Sequence, residues 1–453
     1  MRTIKGILLV GDFILAILSL YCGYALRFYS LPKLSDLILH DWLAILFYAL
    51  VLVFSSFMAE LYTNGNHASK TSLTVRIFLS VFSAFVFLSA VYYAIPVVMF
   101  GRGVFAISLV IFCQAQLLWH ISYKLFMNLP GFALRVLILG TGPLAQHMGK
   151  AIKAMYPDYV LAGYVSCCTE AVHVPGDLIV GNGDGLANTV KNTKADKIVV
   201  SLTEQRGAFP LRDVLDCKMS GIEVLDAPSF YERINGKLLI ETTKPSWFIY
   251  SDGFRVTSAQ KRQKRIVDII FAVIGLLICL PFIPIIALFI KLDSKGSVFF
   301  RQVRSGQGEK HFTLYKFRTM IQDAESKTGA VWAQKNDPRV TRIGAIMRKG
   351  RIDEIPQLFN VLCGDMSFVG PRPERPEFVG ELKKIIPFYS ERHSVKPGVT
   401  GWAQVRYSYG ASVEEAREKL SYDLYYVKNM SLSLDLLIIL ETIKVVLLGR
   451  GGR

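Results

Sequence analysis

The sequence predicts a membrane protein in three parts: a bundle of four transmembrane helices, a Rossmann-like α/β unit, and a mixed, mainly α C-terminal domain with a proline-broken apolar helix. Three observations lead there. Roughly residues 7–26, 42–60, 77–100 and 104–127 are apolar, each near the ~20 residues that a helix needs to cross a bilayer core. A strand, glycine turn and helix pattern follows at "LRVLILGTGPLAQHMGKAI". A fifth apolar stretch, Val267 to Ile290, carries Pro281 and Pro284 near its middle.

The chain has 453 residues, 52% of them hydrophobic, which is more than one compact domain usually holds. The expected division is 1–130 for the four helices, 133–227 for the α/β unit, 228–263 for a linker and 264–453 for the last domain. The first span is an anchor, because no clear small-residue cleavage site follows it. Arg2 and Lys5 precede it, Lys70 and Arg76 lie between spans two and three, and Arg135 follows span four. Arg27, Lys33 and Arg102 fall on the other side. The bias puts the termini in the cytoplasm by a modest margin. Asp12 lies within span one, and an intramembrane acid is a functional candidate by default. Its nearness to the interface predicts snorkelling or a helix contact.

In the α/β unit the glycine turn reads GxGxxA (Gly140, Gly142, Ala145), which lets backbone approach a phosphate at a helix N-terminus. A dinucleotide site wants an acid at the tip of the second strand, and "YVSCCTE" offers only Glu170, somewhat late. A tight strand-to-helix turn with a structural role explains the glycines as well.

The fifth stretch is long enough to span, but proline removes a backbone donor and clashes with the preceding turn, so a kink is expected. Periodicity leaves crossing and returning equally open. The final segment, "LSLDLLIILETIKVVLL", carries Asp435, Glu441 and Lys444 at spacings that predict an amphipathic helix on the domain or interface.

The formal net charge is +16, and thirteen Lys or Arg face four Asp or Glu between Lys295 and Arg351. That excess suits anionic lipid or phosphate esters. Nucleic acid is not expected, because the same chain carries long apolar runs; a solvated basic face remains the plainer alternative. Seven scattered cysteines, none in a CxxC pair, read as buried thiols and not as metal ligands or a disulfide frame. No GxxxxGK[ST], HExxH or GxSxG occurs, so P-loop, zincin and serine hydrolase chemistry lacks its motifs.

The candidate chemistry lies after the broken helix. In "YKFRTM", Lys316 and Arg318 alternate with aromatic or apolar residues, so on a strand they share one face and can grip a diphosphate, or else form its wet side. "GPRPERPEF" holds Arg372 and Arg375 in an extended frame fixed by prolines, suited to an anionic or planar ligand. In "GRIDEIPQLFNVLCGD", Asp353 and Glu354 stand behind Arg348, Lys349 and Arg351. Asp353 as N-cap and Glu354 as first helical residue is one reading. In the other, a carboxylate held ionised by a positive field serves as a nucleophile toward phosphorus or as a ligand for Mg²⁺.

The blocks "FRQVRSG", "YKFRTM", "DPRVTRIG", "DEIPQLFNVLCGDMSFVGPRP", "KPGVTGWAQV" and "YDLYYVKN", in this order, resemble the polyprenyl-phosphate glycosyl-1-phosphate transferases. These are the bacterial sugar transferases, or monotopic phosphoglycosyl transferases. The resemblance covers about residues 258–453; the spans and α/β unit ahead of it resemble the large members that begin exopolysaccharide or O-antigen repeat units. It implies transfer of a sugar 1-phosphate from a UDP-sugar to undecaprenyl phosphate, with release of UMP and a requirement for Mg²⁺. Asp353 would be the nucleophile, with Glu354 holding the metal or orienting the dyad. Lys316, Arg318 and Arg348 would bind phosphate, Arg372 would lie on the nucleotide side, and Asp423 would be a further functional acid; Arg375 stays a substrate-binding candidate from its extended frame. It also implies a re-entrant helix at 267–290 broken at Pro281, a catalytic domain on the cytoplasmic face of the bacterial inner membrane, and a homodimer.

Two departures stand out. Cys279-Leu280 precede Pro281 where members often have serine, and Arg351-Ile352 precede the dyad where many read Ser-Leu. Two other classes remain in view. A membrane-bound nucleotide-sugar dehydratase or oxidoreductase would want a Tyr-x-x-x-Lys pair, but the only one, Tyr29 and Lys33, lies outside the α/β unit. A non-catalytic membrane scaffold would use the α/β unit to bind a partner.

Overall fold

The computed structural model describes residues 2–29, 34–59, 61–62, 73–96, 100–127, 133–154, 159–167, 171–183, 185–202, 209–242, 245–322, 337–407 and 412–447. Lys33, Lys70, Cys168 and Glu170 lie outside the described residues. The chain forms two compact units, Met1–Ile234 and Asn235–Arg453.

The first unit opens with four helices: α1 (Arg2–Phe28), α2 (Leu34–Met58), α3 (Leu73–Ala94) and α4 (Arg102–Met127). Gly6–Phe28, Leu73–Ala94 and Arg102–Tyr123 are long and apolar enough to cross a membrane, and Trp42–Met58 is a shorter apolar helix. Leu20, Tyr48, Leu52, Ala84, Leu88 and Phe112 form their common core. Helices α1 and α4 approach closely at Gly11, where an added Cβ would run into the Trp119 ring; small residues let apolar helices pack this way.

Asp12 does not snorkel. It is fully buried and accepts hydrogen bonds from Tyr62 Oη (2.7 Å) and Gln116 Nε2 (2.7 Å), with His120 Nε2 at 3.1 Å. Gln116 Nε2 also donates to Ser56 Oγ (2.9 Å), which pairs with Ser80 Oγ (3.0 Å). One polar chain thus links all four helices. The helix contact follows from physics: a buried carboxylate without partners is far more expensive than one held by several donors.

Next come β1 (Leu134–Leu139), α5 (Pro143–Ala154), β2 (Tyr159–Ser166), β3 (Ile179–Asn182), α6 (Leu186–Thr193), β4 (Lys197–Val200), α7 (Leu211–Met219) and β5 (Glu223–Asp226). The five strands are parallel in the order β3-β2-β1-β4-β5, so the strand order reverses beside the β1 turn, where doubly wound sheets bind ligands. Gly140 has φ +126 there, a conformation that side chains other than glycine rarely adopt. The turn is covered by the chain itself: His173 N donates to Thr141 O (2.9 Å), and Gln146 Nε2 donates to His173 O (2.7 Å).

The stretch 228–263, expected as a linker, is mostly folded. It contains α8 (Ala227–Asn235), α9 (Pro245–Tyr250) and the start of α10 (Ser258–Cys279). In the second unit Leu238 and Ile240 are buried with Val379, Leu382, Leu420 and Leu424, and Trp247, Phe248 and Phe254 pack against them. Apolar residues interspersed among the polar ones supplied this core.

Helix α10 begins with a capping box of Thr257 and Gln260 and ends at a 3₁₀ turn, Leu280–Phe282, before α11 (Ile283–Asp293). Pro281 and Pro284 lie at this junction, as their missing donors require. Both arms dock on the same body. Ala272 is buried with Leu314, Val361 and Met366, and Ile290 with Phe317 and Met347. Arg265 Nη1 donates to Val361 O (2.6 Å), and Ile343 N donates to Asp293 Oδ2 (2.9 Å). Leu277, Ile278, Leu280, Phe282, Ile285 and Leu288 stay exposed around the break.

The rest comprises the antiparallel pair β6 (Phe299–Ser305) and β7 (His311–Phe317), α12 (Arg342–Lys349), α13 (Gln357–Cys363), β8 (Ser367–Val369), α14 (Pro376–Ile385), β9 (Gly398–Thr400), α15 (Trp402–Arg406), α16 (Val413–Lys428) and α17 (Leu432–Leu447). Helix α17 reverses the expected amphipathic sense at two of its polar positions. Asp435 and Lys444 are buried, while Leu432, Leu436 and Ile443 are exposed. Asp435 faces inward because Lys264 Nζ (2.8 Å) and Tyr426 Oη (2.8 Å) bind it there.

Candidate active site

Helix α12 stops at Gly350, and Arg351 adopts φ 53, ψ 22, a left-handed conformation uncommon away from glycine. The reversal feeds a 3₁₀ turn, Ile352–Glu354, and α13 starts only at Gln357. Asp353 is therefore inside a separate turn and is not the N-cap of the following helix. Both acids are buried, at 8% and 7% exposure. Leu358, one turn on, touches the α10 face at Gly275, and Ile355 packs in the cluster holding Ile283, Ile286 and Ile290. The residues that flank the dyad thus pack on both arms of the broken helix, Leu358 on α10 and Ile355 on α11.

Cations converge on Glu354. Arg372 Nη2 donates to Oε1 at 2.8 Å, Lys316 Nζ lies 3.4 Å from the same oxygen, and Arg351 Nη1 is 3.5 Å from Oε2. Burial opposes the charge, but Arg372, Lys316 and Arg351 outweigh it and hold the carboxyl well below its ordinary range. Asp353 goes the other way. Burial pushes it up, Lys316, Arg372 and Arg348 pull against that, and the neighbouring Glu354 charge adds to the rise. At Asp353 burial outweighs the positive field, so its carboxyl lies above its ordinary value. Burial also pushes the Lys316 ammonium below its usual value, against the pull of Glu354.

Arg348 belongs to this group through its field on Asp353, and its Nε donates to Thr319 Oγ1 (2.9 Å). Arg318 does not join it. It lies one residue past the end of β7, and its Nη2 donates to Ser294 O (2.7 Å) and Ser294 Oγ (3.1 Å) at the C-terminus of α11. Its backbone still pairs with the opposite strand, N donating to Val298 O (2.9 Å), but its side chain is taken by Ser294. Arg375 sits at the N-cap of α14, paired with Glu377 at 3.6 Å and lying over the Phe378 ring.

Asp423 is buried in the domain, accepting Arg392 Nε (3.0 Å) and Nη2 (2.7 Å). Burial raises its pKa and Arg392 opposes the rise. Arg392 also donates from Nη1 to Tyr389 Oη (3.1 Å) and from Nη2 to the carbonyl of Arg372 (3.0 Å). Arg304 Nη1 holds Pro373 O (3.2 Å), and Ser305 N holds Glu374 O (2.9 Å). The extended frame that the prolines predict is thus pinned from outside, and Asp423 connects to the dyad through Arg392 and Arg372. Arg392 had no motif to reveal it; Arg351 was visible only as part of a basic run.

Among the described residues no three His, Cys, Asp or Glu side chains cluster as a metal site. Asp353 and Glu354 supply two hard oxygen ligands, the number that Mg²⁺ commonly takes from protein when substrate phosphates provide others, so the donor set fits that ion.

A buried, cation-ringed carboxylate pair on a domain carrying an exposed, proline-broken apolar helix, Ser258–Asp293, long and apolar enough to cross a membrane, defines a membrane-bound protein suited to phosphate esters. Residues 259–449 match the bacterial sugar transferase family. The chain is 45% identical over 185 residues to an exopolysaccharide production protein of Rhizobium leguminosarum bv. phaseoli, covering 40% of this chain and 92% of that one. It is 50% identical over 190 residues to the UDP-N-acetylgalactosamine-undecaprenyl-phosphate N-acetylgalactosaminephosphotransferase of Aeromonas hydrophila, covering 42% and 45%. It is 44% identical over 181 residues to the UDP-glucose:undecaprenyl-phosphate glucose-1-phosphate transferase of Xanthomonas campestris pv. campestris, covering 40% and 37%. The chain spans less than half the length of these last two relatives. This protein belongs to the bacterial sugar transferase family.

Proposed function

We propose that the protein transfers a sugar 1-phosphate from a UDP-sugar to undecaprenyl phosphate, the initiating step of an exopolysaccharide or O-antigen repeat unit. The observation that carries this reading is the dyad, buried, flanked by residues that pack on both arms of the broken apolar helix, and ringed by Lys316, Arg348, Arg351 and Arg372. A Asp353 carboxylate oxygen attacks the β-phosphorus, the bond to the bridging oxygen breaks, and UMP leaves with that electron pair. Undecaprenyl phosphate then attacks the aspartyl phosphosugar, returning the carboxylate and giving the lipid-linked sugar diphosphate. Splitting one displacement in two is ordinary covalent catalysis.

Arg372 orients Glu354, while Lys316 and Arg348 place positive charge where the diphosphate becomes more anionic. Asp353 and Glu354 would hold Mg²⁺, which when bound neutralises phosphate charge. The apolar hairpin 267–290 enters the bilayer and returns at the break near Pro281, keeping the catalytic unit on the cytoplasmic side of the inner membrane with the dyad near the headgroups. Relatives named for UDP-N-acetylgalactosamine and UDP-glucose make these the first donors to try.

The test measures UMP release from candidate UDP-sugars with Mg²⁺ and undecaprenyl phosphate. Donor-dependent UMP together with a lipid-linked sugar diphosphate supports the reading. Absence of both with every donor, from folded protein, overturns it.

A further inference from the structure

The outer face of the β6–β7 hairpin has no part in the chemistry above. Cross-strand partners share a face, and the register pairs Phe299 with Phe317, Arg301 with Tyr315, Val303 with Thr313 and Ser305 with His311. Two contacts confirm the face: the Phe299 and Phe317 rings stack at 5.5 Å, and the Arg301 guanidinium lies 5.6 Å from the Tyr315 ring centre. Lys316, on the opposite face, turns to the dyad.

Phe299 and Val303 are about half exposed, at 46% and 50%, and Phe359, edge-on to Tyr315, is 53% exposed. None of these eight strand positions is acidic. A mixed apolar, aromatic and cationic face of this kind matches a headgroup layer, where Tyr and Arg present apolar bodies and polar tips. It is also continuous with the broken apolar helix: Phe317, beneath Phe299, is buried with Ile290 and packs with Ile283 and Ile286.

We propose that this face is a second membrane-seating surface, lying on anionic headgroups beside the apolar hairpin. Arg301 takes a lipid phosphate while Phe299, Val303 and Phe359 enter the interfacial layer. The hairpin inserts, and the β-face fixes the tilt of the domain around it. The inference rests on the membrane-inserted reading of residues 267–290.

Nitroxide labels at V303C and, separately, I278C, in the full chain with its native cysteines replaced by serine, test it in nanodiscs of phosphatidylethanolamine and phosphatidylglycerol. Collision with oxygen exceeding collision with a water-soluble nickel chelate at both sites is expected. An aqueous label at residue 278 sinks the inserted-hairpin reading. A lipid-exposed label at 278 with an aqueous one at 303 sinks the seating surface alone. Low access to both agents at 303, with spin–spin broadening between copies, assigns the face to a second copy and overturns the proposal. A benzophenone amino acid at Val303 in the cysteine-containing chain gives an independent readout: photo-crosslinks to lipid support the proposal, and crosslinks only to protein overturn it.

Discussion

Arg372 Nη2 lies 2.8 Å from Glu354 Oε1, while the carbonyl of the same arginine is held at 3.0 Å by Arg392. The side chain that orients the dyad is therefore fixed from behind by a second guanidinium. Arg372→Met is expected to lower stability by about 1.5–3 kcal/mol, the range for losing a hydrogen bond to a charged group. Lys316 and Arg351 still compensate Glu354, which keeps the loss below that for stranding a buried charge. Denaturant unfolding in detergent checks the value.

The same substitution moves a pH profile. Arg372 holds the Asp353 carboxyl down against burial, and the nucleophile must be ionised. The acid limb of kcat/KM is expected above the ordinary aspartate value of 3.8 in the native protein and higher again in Arg372→Met. A limb unmoved by the substitution would separate Asp353 from the titration.

Asp353→Asn is expected to cut lipid-linked product by at least about a thousandfold, as loss of a covalent nucleophile does, while the protein still inserts and folds. Substantial residual turnover would remove Asp353 from that role.

Glu354 links stability to acidity in a known direction. Its folded pKa lies below the ordinary 4.5, so its contribution is fully present above that value and fades as pH falls through the folded pKa. The stability gap between the native protein and Glu354→Gln is expected to shrink progressively below about pH 4.5, read from denaturation midpoints across pH.

Asp423→Asn leaves Arg392 buried without its anion. Breaking a buried pair from one side costs about 3–5 kcal/mol, so strong destabilisation is expected, with any catalytic loss following from displacement of Arg372. Comparing KM with kcat after mild stabilisation distinguishes this indirect effect from direct substrate contact.

Much of this was readable in the chain. Bilayer length exposed α1, α3 and α4, and the glycine after "LRVLIL" marked the β1 turn. The adjacency of Asp353, Glu354 and the upstream cations marked the dyad. What stayed hidden depended on distance in sequence: Arg392 meets Asp423 thirty-one positions on, and Asp435 turns inward to meet Lys264, 171 positions away. The side chain of Arg318 is held by Ser294, 24 positions earlier, a partner that the alternation in "YKFRTM" does not announce.

The chain through Asp12 also has a temporal side. Its partners Gln116 and His120 lie on α4 and are 104 and 108 positions later, so the ribosome delivers the acid long before the groups that receive it. Until α4 arrives, Asp12 has Tyr62 but lacks Gln116 and His120, and an acid at a helix centre costs about 2.5–3.5 kcal/mol on insertion scales. The last helix completes the first, and a bundle interrupted before α4 would leave the acid without two of its partners.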